Sequence, residues 1–325
     1  MKLERASSSR GKSPRKAPKK GRQSRARSSA VAIVGFKGVV RASVAYITAA
    51  AVLTGCSPRT ASTAPKTASE WTQVWSDEFD GAAGARVDST KWNYDLGDGC
   101  QAQNCGWGNN EKEYYSDKAE NISLNGHGQL VITAREAPAG LHCYYGPCLY
   151  TSAKITTRGK MLASPGRVEA RIKLAPGQGL WPAFWMLGHG SPVTPWPDCG
   201  ELDIMENKGS QVSTSSSAIH GPGYSGDTPF AHRHTLERGK LTDDFHTFAV
   251  EWDSAQARFF VDDSVHYVVT RNQIQKYGKS ILDQPFFVIL NLAVGGHFDG
   301  DPQSNAIFPA TMLVDYVRVY APKKR

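Results

Sequence analysis

From Trp71 to Tyr320 the sequence is a succession of short apolar or alternating runs, each cut off by Gly, Pro, Asn or Asp. This punctuation constrains the fold more than any other feature. Gln129–Ala134, Val168–Leu174, Thr247–Trp252, Phe259–Val261, Phe286–Leu292 and Met312–Tyr320 have strand length. Such runs between turn signals build a sandwich or a barrel. The three-and-four spacing of an amphipathic helix is scarce, and Gln273–Tyr277 is expected to form one short helical turn. No linker or internal repeat divides the runs, so one all-β domain is expected over residues 71–322.

The net charge of +8 is unevenly placed. Residues 1–56 hold 13 Lys/Arg and one acid, which leaves 25 of the 38 basic residues against 29 of the 30 acidic ones. The basic character therefore belongs to a leader, and no nucleic-acid partner is expected. Within the leader, Ala42 to Leu53 is an apolar run of signal-sequence length, too short to span a bilayer comfortably. Leu53-Thr54-Gly55-Cys56 follows it directly and resembles a bacterial lipoprotein box, which implies lipidation of Cys56. An ordinary secretory signal is the alternative. Residues 57–70, rich in Ser, Thr, Ala and Pro, read as a flexible tether. An exported monomer, held at the membrane only through its lipid or else secreted, is the expectation.

In an exported chain disulfides are the expected use of cysteine. Cys100/Cys105 and Cys143/Cys148 repeat one spacing, and either two local loops close or the two segments cross-link. Cys199 is left over and reads as a small buried residue.

Glu201-Leu202-Asp203-Ile204-Met205-Glu206 carries the chemistry. In a strand, Glu201 and Asp203 share one face and Leu202 and Ile204 the other. Strict alternation would send Glu206 to the apolar face, where an unpaired carboxylate is costly. A β-bulge, with Met205 as the natural extra residue, returns it to the face of the other two. Two carboxyls about 5–5.5 Å apart are what retaining glycoside hydrolysis needs. A calcium site is the rival reading of three acids. Just upstream, Trp181 and Trp185 share a strand face, and indoles are suited to stack on sugar rings. The Pro-rich loop Ser191 to Cys199 delivers the chain to Gly200, which is expected to permit close backbone approach. The strand Arg167–Leu174 alternates charged and apolar residues and is expected to be half solvated. His232-Arg233-His234 suggests a metal, but no third ligand is evident in the sequence, and none is assigned.

Several motifs occur together: Trp181-Pro182-Ala183-Phe184-Trp185-Met186, Gly200 to Glu206, Asn109-Asn110-Glu111, Phe245 to Trp252, Leu290 to Gly296 and Val314 to Tyr320. In that combination the chain resembles glycoside hydrolase family 16, and within it the bacterial laminarinase-type endo-β-1,3-glucanases. The resemblance implies a concanavalin-like β-jelly-roll sandwich of two bent antiparallel sheets with a substrate cleft. It implies Glu201 as nucleophile, Glu206 as general acid/base and Asp203 between them, with no cofactor for catalysis. Asn110, Glu111, Trp181, Trp185, His220 and Asn291 become candidates for sugar contact, although loop capping for Glu111 and a structural hydrogen bond for Asn291 stay open. The residue inserted between the acids, together with His220 to Gly226, resembles the laminarinase form and favours β-1,3-glucan over galactans. A structural calcium is implied at Asp315 with backbone oxygens near Glu78 and Gly126. Transglycosylation, other β-glycans and a non-catalytic carbohydrate-binding module are the alternatives.

Overall fold

The computed structural model describes residues 70–323; the leader, Cys56 and nearly all of the tether lie outside the described residues. Two β-sheets make up the fold. In one, seven strands run in the spatial order Phe230–Thr235, Thr214–His220, Glu201–Glu206, Leu180–Gly188, Phe286–Val294, Lys154–Thr156 and Asn93–Asp95. The other has ten strands, with Arg167–Lys173 between His246–Trp252 and the long Ala310–Pro322. Pairing is antiparallel throughout both sheets except for the parallel pair Glu113–Tyr115 and Tyr150–Ser152. The architecture is the all-β jelly-roll sandwich expected from the punctuated runs.

The alternation of each strand decides what fills the space between the layers. Phe184, Met186, Leu202, Ile204, Met205 and Ile219 from the first sheet are buried against Val168, Ala170, Phe248, Val250 and Val317 of the second in one continuous core. The strand Phe286–Val294 is buried along its whole length, which is why it reads as an unbroken apolar run with a single polar residue, Asn291.

Two expectations are corrected here. The helical turn is Arg271–Ile274, starting two residues before the segment expected and overlapping it at Gln273 and Ile274. Thr270 caps it and Gln273 reaches back to the Thr270 backbone N–H, a capping box that fixes its start. At its start the strand Arg167–Lys173 is not half solvated, with Arg167 and Glu169 each 8% exposed, whereas Arg171 and Lys173 keep the partial exposure expected. Their strand lies in the middle of its sheet. Arg167 donates to Glu169 at 2.8 Å and to Glu251 at 3.1 Å, and Arg258 donates to the other oxygen of Glu251. Cross-strand pairing thus turns a solvated pattern into a buried ion cluster.

The cysteines close two local loops, Cys100–Cys105 and Cys143–Cys148. Cys199 is a buried free thiol, and burial together with the nearby Glu201 charge pushes it up to about 11. It therefore stays protonated.

The long last strand has a break along one edge. Asp77 ends the pairing of Trp71–Asp77 at Val317, and Leu130–Glu136 begins its own at Val314. On the opposite edge Arg171 faces Tyr316 and Ile172 faces Val314, so Asp315 is the extra residue of a bulge. Asp315 thus lies at the break between the two pairings on the first edge.

Candidate active site

The acid strand Glu201–Glu206 is held between Leu180–Gly188 and Thr214–His220. Glu201 is opposite Leu187, Asp203 opposite Trp185 and Glu206 opposite Ala183. Residues paired across strands share a face, so all three acids lie on the odd-numbered face of the neighbouring strand, with Trp181 and Trp185. The even-numbered Phe184 and Met186 point into the core. What makes this register hold is a slip between Asp203 and Glu206 on both edges of the acid strand. Met205 is paired with Phe184, so against this strand Ile204, not Met205, is the unpartnered residue. On the other edge Ile204 and Met205 together span the single residue Ser217, whose hydroxyl donates to the Ile204 carbonyl at 2.8 Å. Both bulge side chains are buried and apolar, so the core anchors the kink that turns Glu206 outward.

The same register extends across the sheet as one row: Ser216, Glu206, Ala183, Asn291, Lys154 and Asp95. Indole N–H groups position the acids. Trp181 Nε1 donates to Glu206 Oε1 at 2.9 Å, and Trp196 Nε1 donates to Glu201 Oε2 at 3.0 Å. Trp185 Nε1 donates to Asn291 Oδ1 at 2.7 Å, and Asn291 Nδ2 donates to Tyr115 Oη at 3.1 Å. The candidate sugar platform thus has its polar edges committed to the protein. His220 Nε2 lies 3.2 Å from Asp203 Oδ2 and 4.0 Å from Glu201 Oε1, close to both acids but without an aligned hydrogen bond. Gly200 reaches the site at φ +76°, and a Cβ there would meet Ile281 and Gln284 side-chain atoms at 2.8 and 2.4 Å, which accounts for the glycine.

Electrostatics follow from crowding acids in a dry cleft. Burial, then the Glu201 charge, raise Glu206 to about 7. Burial pushes Asp203 well above the carboxylate range, with the Glu206 charge adding to it. Burial and the Asp203 charge raise Glu201 too, opposed by His220 and the Trp196 N–H. Glu201 and Asp203 act on one another: the Asp203 carboxyl raises Glu201, while the contact with Glu201 lowers Asp203.

Glu111 belongs to a second buried carboxyl pair. It accepts from Asn109 at 3.0 Å and from Tyr115 at 3.3 Å, while Glu113 accepts from the Val294 N–H at 2.7 Å. Burial and the Glu111 charge push Glu113 well up. The Glu111 charge reaches Glu206 as well, so the loop and the acids are electrically linked. Asn110 is exposed at φ +61° and accepts from Tyr144 Oη at 2.9 Å. Two residues escaped the sequence reading. Trp196 lies in the loop expected to deliver the chain to Gly200, and no role in the site is assigned to it by sequence. Lys154, 8% exposed with its ammonium 4.2 Å over Trp107 and 5.1 Å over Trp185, was signalled by a lysine inside the apolar run Ala153–Ile155.

Asp315, Glu78 and Gly126 lie away from this row. Asp315 Oδ2 accepts from Arg171 at 2.8 Å, and the Glu78 carboxylate is engaged by Arg318 at 2.8 and 3.0 Å.

The family model of glycosyl hydrolases family 16 matches residues 101–318. This chain belongs to that family. A beta-glucanase of Rhodothermus marinus is 39% identical over 282 residues, which cover 83% of this chain and 91% of that protein. Among solved structures, the laminarinase catalytic domain of Thermotoga maritima MSB8 superposes with a TM-score of 0.74 at 40% identity, covering 78% of this chain and all of that one. The endo-beta-1,3-glucanase of Pyrococcus furiosus does so with a TM-score of 0.74 at 42% identity, covering 78% and 96%. As a family 16 member the chain is a glycoside hydrolase, and the bulged acid strand with its row of indoles is the place in the fold suited to that chemistry.

Proposed function

We propose that this family 16 enzyme is a retaining endo-β-1,3-glucanase. The observation that carries the reading is the slip at Ile204–Met205, which turns Glu206 to the face of Glu201 and Asp203. Glu201 attacks the anomeric carbon as Glu206 gives its proton to the departing glycosidic oxygen. Water then loses a proton to Glu206 and attacks the same carbon, breaking the bond to Glu201. In this reading Asp203, 3% exposed, is the protonated member of the pair. Asp203 donates that proton to Glu201, which also accepts from Trp196, so the negative charge settles on the nucleophile. Glu206, raised to about 7 by burial and the Glu201 charge, holds the proton that a general acid must give.

The β-1,3 preference is supported by the laminarinases and endo-β-1,3-glucanases among its relatives. Incubation with laminarin, lichenan, agarose and carrageenan tests it. Oligosaccharides are expected from laminarin; release from agarose alone overturns the preference. Trp181, Trp185, Asn110, Glu111, His220 and Asn291 are proposed to line the sugar path.

A calcium ion is proposed at the gap in the last strand, held by Asp315 and backbone oxygens near Glu78 and Gly126. Oxygen donors at a bulge suit a hard cation, and its role is structural. Export, a lipid on Cys56 and a monomeric state are proposed on the leader's sequence; transfer of the protein from membrane to soluble fraction in Cys56→Ser tests the anchor.

A further inference from the structure

Positions that face the opposing sheet of a sandwich are ordinarily apolar. At one edge of this one they are not. Along Thr214–His220 the core-facing series is Ser215, Ser217 and Ile219, and only Ile219 joins the apolar core. Ser217 is paired with His232 and Ser215 with His234 on the neighbouring edge strand. Arg233, between them, points the other way and donates to Gln211. The two histidines meet a third, His266, from the edge strand Ser264–Thr270 of the other sheet. Its ring centre lies 5.1 Å from that of His234 and 5.7 Å from that of His232. The third imidazole that the sequence could not supply is therefore present, brought in by the fold.

Three features make this a site rather than a chance cluster. With Zn–N bonds of about 2.0–2.1 Å and a ring centre about 1.1 Å behind each nitrogen, two imidazoles on one tetrahedral metal have centres roughly 5 Å apart. The ring centres of His234 and His232 lie near this distance from His266, and the nitrogens converge only once the two outer rings turn. The protein already holds one ring nitrogen in place, since Ser217 Oγ lies 3.3 Å from His266 Nε2, leaving Nδ1 of His266 buried without a partner. The hydroxyl of Ser215, 1% exposed, is also buried without a partner beside His234. Asp262, whose carboxylate accepts from His246, adds negative charge near His234.

We propose that His232, His234 and His266 bind one late first-row divalent cation, such as zinc, between the edges of the two sheets. The rings are tilted by 29° and 36°, and the exposed His232 and half-exposed His234 turn about χ2 to bring their nitrogens onto the metal. His266 contributes Nδ1, with Nε2 held by Ser217, the usual arrangement in which a second partner fixes the ligand ring. Water completes the coordination. Because Ser217 also bonds the carbonyl of Ile204, the ion would sit directly behind the bulge that orients Glu206.

Zinc titration tests this, with one precaution. Among the described residues, Glu201, Asp203 and His220 have donor atoms within 4.8 Å of one another, so a cation can also enter the cleft. The reference protein is therefore the full chain carrying His220→Ala, stripped with chelator and titrated with zinc chloride by calorimetry. One zinc per chain is expected, together with a rise in Tm. Adding His266→Ala should weaken binding at least tenfold and abolish the rise. Adding His232→Ala, at an exposed position where folding is not at stake, should do the same. Absence of zinc binding in the His220→Ala protein, or unchanged affinity after His232→Ala, overturns the proposal.

Discussion

The indole N–H of Trp181 donates to Glu206 Oε1 at 2.9 Å. That bond favours the charged form of Glu206 and so works against the burial that raises it. Trp181→Phe keeps an aromatic surface and removes the donor. The proton on Glu206 should then be held more tightly. The alkaline limb of kcat/KM on laminarin is expected to move upward by about half a unit, in line with the loss of one hydrogen bond of about 0.5–1.5 kcal/mol. A limb that moves downward would contradict this role for Trp181.

The wild-type profile follows from the same group. A general acid must be protonated to act, so kcat/KM should fall as pH rises through about 7. Stability carries the same sign. The folded pKa of Glu206 lies above its unfolded value, so the folded state binds the extra proton. Stability contributed by that proton is complete below the unfolded value and is lost as pH rises through about 7. Glu206→Gln removes the buried charge. It should lower kcat by several orders of magnitude, yet raise Tm at pH 8, with the difference from wild type shrinking toward pH 5. Thermal scans at the two pH values decide it.

Asp203 is proposed to supply a proton to the nucleophile. Asp203→Asn retains a donor but fixes it as an amide. A loss in kcat of about 10²-fold or less is expected, compared with a loss of about 10³-fold or more for Glu201→Gln. Single-turnover rates on an activated β-glucoside oligomer with a good leaving group separate the two. If both variants lose rate equally, Asp203 is doing more than positioning.

Away from the cleft, Glu251 accepts from both Arg167 and Arg258 in the buried ion cluster. Glu251→Ala removes the shared anion from two buried guanidinium groups. Destabilisation of about 3–5 kcal/mol is expected, measured by urea unfolding. Catalysis well below the unfolding transition should change little, because this cluster lies in the other sheet.

Much of the fold and of the acid site was legible in the sequence because alternation leaves few choices. A carboxylate at position 206 is incompatible with an unbroken apolar face, so a kink between Asp203 and Glu206 could be anticipated from residue order. Which residue lacks a partner could not, since that depends on the register of Phe184 and Ser217 on either side. Strand order was equally hidden. Arg167 and Glu169 look solvated until their strand is placed mid-sheet with Glu251 and Arg258 beside it. His266 could not be joined to His232 and His234 because the contact runs between different sheets. Lys154 acts through the Trp107 and Trp185 rings, far along the chain, while Trp196 reaches Glu201 only five residues on, a contact set by the fold of the loop between them.

The account rests on displacement at one carbon twice over, with Glu201 and Glu206 on the same side of the sheet. Proton NMR of the anomeric signals in the first minutes of laminarin cleavage tests it directly. The β-anomer is expected to appear first and the α-anomer only later, by mutarotation. Initial release of the α-anomer would mean a single displacement and would contradict the assignment of Glu201 as nucleophile.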